Sequence, residues 1–261
     1  MPPISAASKN IIIINALAFM ASYLLTNIGI NEIFGLHYWG ASSFQVWQLV
    51  TFMFLHGSFS HLFFNMFAVY MFGAPIEQYF GTKRYVIYYL VTGIGSGLIQ
   101  EIALFFEIQP FIKAVDACMS NITNESLNAL LSQYGPGSQK CAILINEFFG
   151  KVSGMPIHEA TPIARHFLME YQDAWIASHN TIGASGAVFG LLLAFGMLYP
   201  NARIFLFFLI PLKAKYFVIL YGAIELFEGI GVGFQPDNVA HWAHLGGMLF
   251  GIILILKWRR E

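Results

Sequence analysis

Charge is what this chain has least of. Of its 261 residues only 10% are Asp, Glu, Lys or Arg, against about 25% in a soluble globular protein, and so few charges do not cover the surface of a water-soluble domain of this length. Neither sign dominates, with 13 Lys plus Arg against 14 Asp plus Glu and a formal net charge of -1. Without a global positive field the chain has no means of holding a polyanion, and no nucleic-acid partner is expected. Cysteine is scarce too: Cys118 and Cys141 are the only two, which excludes a disulfide-dense scaffold and a metal site of four thiolates. What is plentiful is apolar surface, 57% of residues being hydrophobic. The combination points to a polytopic membrane protein.

A span needs about 20 mostly apolar residues, and six stretches qualify: 11–29, 60–79, 84–105, 183–199, 216–232 and 241–257. The first has no small-residue cleavage site behind it and is expected to be an anchor, not a removable signal. Lys and Arg beside a span resist translocation. With both termini inside, Lys9, Lys83, Arg84, Arg203, Lys213, Lys215, Lys257, Arg259 and Arg260 are cytoplasmic, while Glu77 and Glu261 are the only acids on that side. The expected orientation is N-in and C-in.

Residues 107–181, between the third and fourth spans, are too many for an ordinary helix connection and should form a small outer element. Thr161-Pro162 reads as an N-cap and first helical position, and Ile163, Phe167, Tyr171 and Trp175 follow at helical spacing. The turn signal Gly135-Pro136-Gly137 precedes a second helix through Ala142, Ile143, Ile145, Phe148 and Phe149. The aromatic face is read as this element's own core, with a seat on the membrane interface as the other reading. Both cysteines lie here, on the outer side, so a Cys118 to Cys141 disulfide is expected, two unpaired buried thiols being the alternative. Asn121-Ile-Thr123 and Asn124-Glu-Ser126 match the glycosylation sequon, a pattern short enough to recur by chance. His158, Glu159 and His166 invite a zinc reading, but Thr161-Pro162 interrupts the HExxH spacing, and solvated surface is expected.

Hydrogen-bonding and ionisable groups inside spans are costly and are functional suspects. Three clusters stand out: His61 with Asn65, one turn apart on the same helical face; Gly183-Ala184-Ser185-Gly186; and Ala243-His244-Leu245-Gly246-Gly247. They open the second, fourth and sixth spans, which run in the same direction, so all three lie at similar depth in the outer leaflet. Gly186 with Gly190 and Gly247 with Gly251 make small faces that allow close helix approach. Ser185 can then meet His244 as nucleophile and base. Asn65, His61 and the backbone amide of Ser185 are the candidate donors for an oxyanion. Asp237, Glu228 and Glu225 are the acids nearest before His244 in sequence, but the first lies in a loop and the others on another span. A Ser-His dyad is therefore expected, with no acid.

These residues resemble the rhomboid family of intramembrane serine proteases. Gly183-Ala-Ser-Gly186 is similar to its GxSG, Ala243-His244 to its AH before GxxxG, and His56, His61 and Asn65 to its HxxxxHxxxN. Trp47-Gln48 stands where the family usually has Trp-Arg, so the arginine's loop-anchoring role does not carry over directly. The resemblance covers about residues 11–106 and 182–257. It implies an all-α, polytopic membrane fold: a six-transmembrane-helix rhomboid core, spans 1–3 in residues 1–106 and spans 4–6 in 182–261, with a long extracytoplasmic insertion at 107–181. It implies Ser185 as nucleophile, His244 as base, His61 and Asn65 as oxyanion donors, and Phe189 packing on the histidine. Substrates would be single-span or other transmembrane proteins whose helices arrive from the lipid between spans two and five and are cut near the outer face. No metal or organic cofactor is implied.

His56 is read as ordering its loop, and His241 as merely interfacial. Three classes are weighed: an active protease, a catalytically inactive rhomboid-like protein that binds membrane clients, and a small transporter or channel. Intact Ser185 and His244 favour the first over the second, and the third lacks the broken helices and midplane ligands it needs. A bacterial plasma membrane is the default location, as no transit peptide is evident.

Overall fold

The structure, a computed structural model, describes residues 4–206, 209–231 and 239–258. Its longer helices are α1 (Ala6–Leu24), α2 (Phe59–Phe80), α3 (Thr82–Ser120), α4 (Asn124–Tyr134), α5 (Gln139–Val152), α6 (Ile157–Ala177), α7 (Ser185–Leu198), α8 (Ala214–Gly229) and α9 (His241–Trp258). Each of the six apolar stretches read from the sequence contains a helix among the described residues, the first ending at Leu24 and the fifth at Gly229. Four helices, α1, α2, α3 and α9, are long and apolar enough to cross a membrane; α7 is apolar but has 14 residues, and α8 has 16.

The all-α expectation requires amendment, since short strands are present. Between α7 and α8 lies an antiparallel hairpin, β1 (Arg203–Leu206) and β2 (Ile210–Lys213), with Arg203 opposite Lys213 and Ile204 opposite Leu212. Ile204 is buried while Arg203 and Phe205 are exposed, the period of two that marks a strand. Helix α3 also runs past its expected end near residue 105. Ile108, Phe111, Val115 and Cys118 continue the helical spacing and are all buried, so Pro110 is carried inside the helix.

The chain divides into two compact units: Met1–Leu36, Val46–Gln100 and Thr181–Glu261 form the first, and His37–Gln45 with Glu101–Asn180 the second. In the first, the inward side of α1 carries Ser8 and Asn15, both fully buried, while Ile13, Ile14, Leu17 and Met20 are exposed. That is the reverse of a helix in water. It suits a lipid surround, where close contact and internal hydrogen bonds hold helices together. Ser8 Oγ lies 2.9 Å from Tyr85 Oη, and Asn15 donates to the Ile11 carbonyl at 2.8 Å. A side chain at Gly247 would collide with the backbone of Gly186, so α7 and α9 touch main chain to main chain, as the small faces suggested. Gly190 and Gly251 instead face Thr92 and Tyr88 of α3; Tyr88 donates to the Gly190 carbonyl at 2.8 Å.

The second unit has an aromatic core. Phe111 stacks on Trp175 at 3.8 Å and Phe148 on Phe167 at 4.4 Å, and Tyr171 donates to the Gly135 carbonyl. Each such ring contributes roughly 1.5–3 kcal/mol by burial. Helix α6 starts after Pro156, not at Thr161-Pro162, so Pro162 lies in its second turn. His158, Glu159, His166 and Glu170 of α6 are exposed. The expected disulfide is absent: Cys118 and Cys141 are free and buried, each serving as a small apolar side chain in this core. Thr123 and Ser126 of the sequons form a reciprocal capping box at the start of α4, a helix with no sequence-based expectation.

Candidate active site

The site lies in the first unit and starts at a glycine. Gly183 has φ +136°, and a Cβ there would meet the His61 ring at 2.8 Å, so both backbone and space require glycine. Its N–H donates to the Phe52 carbonyl at 2.9 Å. Two residues on, Ser185 is the first residue of α7, where amides lack intrahelical acceptors and the helix dipole favours negative charge.

Ser185 Oγ and His244 Nε2 are 2.8 Å apart. The structure thus brings together two residues 59 apart in sequence, on α7 and α9. Phe189, one turn beyond Ser185, stacks on the His244 ring at 4.2 Å and 10°. On α2, Ser58 caps the helix by accepting from the His61 amide at 3.1 Å. Asn65 follows one turn later, buried, and its Nδ2 has no acceptor among the described residues. His56 is also buried, its ring against His61 at 4.9 Å. Burial, then the charge of His61, push the His56 imidazole down to about 3, so near neutrality it carries no charge and fills space beside His61.

The expectation that His244 has no acid is corrected. Glu225 Oε2 of α8 lies 2.8 Å from His244 Nδ1 and 2.7 Å from His241 Nδ1, and Glu225 is buried. His241, read as interfacial, is therefore a partner of the same carboxylate. Asp237 lies outside the described residues. The three donor atoms of Glu225, His241 and His244 fall within 4.8 Å of one another, a grouping a divalent ion can in principle use. However, the two Nδ1 to Oε2 distances are hydrogen-bond lengths, below the roughly 3.3 Å edge of a zinc tetrahedron with ligands near 2.0 Å.

The profile of the Rhomboid domain matches residues 43–106 and 163–261, more than half of the chain. The chain belongs to the rhomboid family. An uncharacterized mitochondrial rhomboid protein of Schizosaccharomyces pombe is 28% identical over 223 residues, 82% of this chain and 52% of that protein. A mitochondrial rhomboid-like protein of Arabidopsis thaliana is 33% identical over 105 residues, 40% of this chain and 33% of its own. A putative rhomboid protease of Bacillus subtilis is 32% identical over 66 residues, 25% and 31% of the two chains. The chain thus spans about half, or less, of the curated relatives it matches. With its apolar helices, this rhomboid is an integral membrane protein. A bacterial plasma membrane draws no support from relatives named mitochondrial.

Where the family usually has arginine, this rhomboid uses Gln48 to tie its loop: Gln48 is buried and its Nε2 donates to the Ile33 carbonyl at 3.1 Å. Sequence reasoning missed the Glu225 contact. The available signal was an acid within an apolar helix, which is rarely idle, but its partner depended on how α8 and α9 pack.

Proposed function

We propose that this rhomboid protein is an intramembrane serine endopeptidase with Ser185 as nucleophile and His244 as base. The observation that carries the reading is the 2.8 Å hydrogen bond from Ser185 Oγ to His244 Nε2. A hydroxyl becomes an effective nucleophile only when a base takes its proton. In the proposed cycle Oγ attacks the scissile carbonyl and Nε2 takes the hydroxyl proton. The imidazolium then protonates the leaving amine, and water hydrolyses the acyl-enzyme by the reverse exchange. The oxyanion receives hydrogen bonds from the Ser185 amide, Asn65 Nδ2 and His61. Asn65 suits that role because its buried amide has no resting acceptor to give up among the described residues.

The proposal includes the six-span core, N-in and C-in, with residues 107–181 as an extracytoplasmic insertion between the third and fourth spans. Helix α7, with 14 residues, is about 21 Å long, short of the roughly 30 Å hydrocarbon layer, which supports a Ser185 recessed below the outer headgroups. The substrates proposed are single-span or other transmembrane proteins, reaching the site laterally between α2 and α8. The exposed Phe59, Phe63, Phe64 and Phe67 of α2 suit contact with an apolar helix. Relatives from Toxoplasma gondii and Bacillus subtilis bear protease in their names.

A fluorophosphonate probe tests the reading. Labelling of the wild-type chain and none of Ser185→Ala is expected. A folded wild type that does not label overturns the protease and favours the inactive client-binding protein.

A further inference from the structure

The carboxylate behind His244 belongs to the mechanism. We infer that Glu225 is a positioning residue that completes a Ser185, His244 and Glu225 triad, with His241 as the clamp that holds the carboxylate; the inference rests on the protease reading.

Glu225 Oε2 lies 2.8 Å from Nδ1 of His244 and 2.7 Å from Nδ1 of His241. The two histidines are three apart at the start of α9, so both rings reach one side of the helix. A carboxylate accepts and does not donate. Both Nδ1 atoms therefore carry the hydrogen, and the second nitrogen of His244 is left bare, facing Ser185 Oγ at 2.8 Å. Of the two neutral tautomers this is the one that can accept the serine proton.

When Nε2 takes that proton, the ring becomes a cation whose other N–H already points at a buried anion. Such charge-assisted hydrogen bonds are about twice as strong as neutral ones. The proton remains on the histidine, and Glu225 stays ionised throughout. His241 satisfies the same oxygen and keeps the carboxylate from swinging out of plane. With Phe189 stacked on one face of the His244 ring, the imidazole is fixed in rotation as well as in tautomer. An acid held 7% exposed within an apolar helix then has a reason to be there.

Two readouts on the full-length chain test this. The first is ¹⁵N NMR of histidine-labelled protein, with the His244 signal assigned by its loss in His244→Gln. The expected tautomer carries its proton on Nδ1, and Glu225→Leu should produce a tautomer mixture. This measurement does not depend on Ser185 being reactive, so it judges Glu225 even if the protease reading fails. A wild-type His244 protonated on Nε2 overturns the inference.

The second is the rate constant for fluorophosphonate labelling of Ser185. Glu225→Gln should lower it by roughly 10²- to 10⁴-fold, and His241→Phe by about 2- to 10-fold, with melting temperatures close to wild type. Added formate should restore part of the rate to Glu225→Ala by refilling the carboxylate position. A folded Glu225→Gln that labels at the wild-type rate overturns the inference while leaving the protease reading intact. A Glu225→Ala loss that formate leaves unchanged and that tracks a lowered melting temperature assigns Glu225 to packing alone, which also overturns it.

Discussion

In the first unit small and polar side chains, among them Ser8, Asn15, Thr92, Ser96 and Gly186, share the interior with large ones such as Tyr85, Tyr88, Phe52 and Leu191, while Ile13, Leu17, Phe64 and Leu256 face outward. In the second, Phe111, Phe148, Phe167, Tyr171 and Trp175 face inward, and Glu147, Lys151, Glu159 and Glu170 are on the surface. Both are built of helices around large buried side chains, yet the first adds buried polar groups and wears an apolar surface where the second carries charge. Apolar rings under a charged surface, as in the second, are the pattern that water drives together. Lipid offers no such drive, and the first relies on close backbone approach and satisfied hydrogen bonds. A close-packed interior that admits polar groups is also the one in which a serine, two histidines and a carboxylate can be held in register.

The contrast breaks most visibly if the buried polar groups of the first unit are only packing. Ser185→Ala and His244→Ala should each remove at least about 10³-fold of turnover without unfolding the chain, and the double variant should lose little more because the pair acts as a unit. Asn65→Ala should lower turnover by about 10²- to 10³-fold. Additive losses in a turnover assay, or loss of folding by circular dichroism, would return these residues to structure.

A glycine exchange sharpens the comparison next. Gly247→Ala places a methyl against the Gly186 main chain and should destabilise by about 1–3 kcal/mol. Gly150 of α5 has open space where its Cβ would stand, so Gly150→Ala should be neutral or stabilising by up to about 1 kcal/mol. Thermal melting of the two variants in one detergent compares them directly.

A smaller effect comes from His56. Folding lowers its pKa from 6.5 to about 3, so between those values the unfolded chain binds more protons, and stability rises with pH. It is lost as pH falls from about 6.5 toward 3, on the order of a few kcal/mol over the window. His56→Gln should flatten melting temperature against pH; an unchanged slope would place the acid sensitivity elsewhere. The smallest expected effect is none: reductant should leave the melting temperature unchanged, since Cys118 and Cys141 are free. A drop on adding reductant would mean that a disulfide, and not aromatic packing, holds the second unit.

Much of this was legible in the chain. Ser185 and His241 to His244 stand at helix starts as their flanking glycines and apolar runs suggested, and Phe189 lies on the histidine. The helix from Gln139 to Val152 follows its apolar spacing. The misses share a cause. The α6 start was misplaced because Thr161-Pro162 satisfies a local capping rule that tertiary packing overrode, and the disulfide was expected from composition and side, although each thiol fills its own place in the core. The hairpin at Arg203 to Lys213 was hidden in eleven residues read only for their positive charge.

Periodicity, charge scarcity and short motifs were sufficient by themselves to point to a helical membrane protein, its family likeness and the helix starts at which Ser185 and His244 stand, since those are properties of near neighbours along the chain. Only the tertiary structure decided that Glu225 of α8 meets two histidines of α9, that Gly247 lies on Gly186, and that Phe111 stacks on Trp175. Such pairings depend on how each helix is rotated and crossed against its neighbour, and that angle is set by all the packed side chains together, not by any one segment.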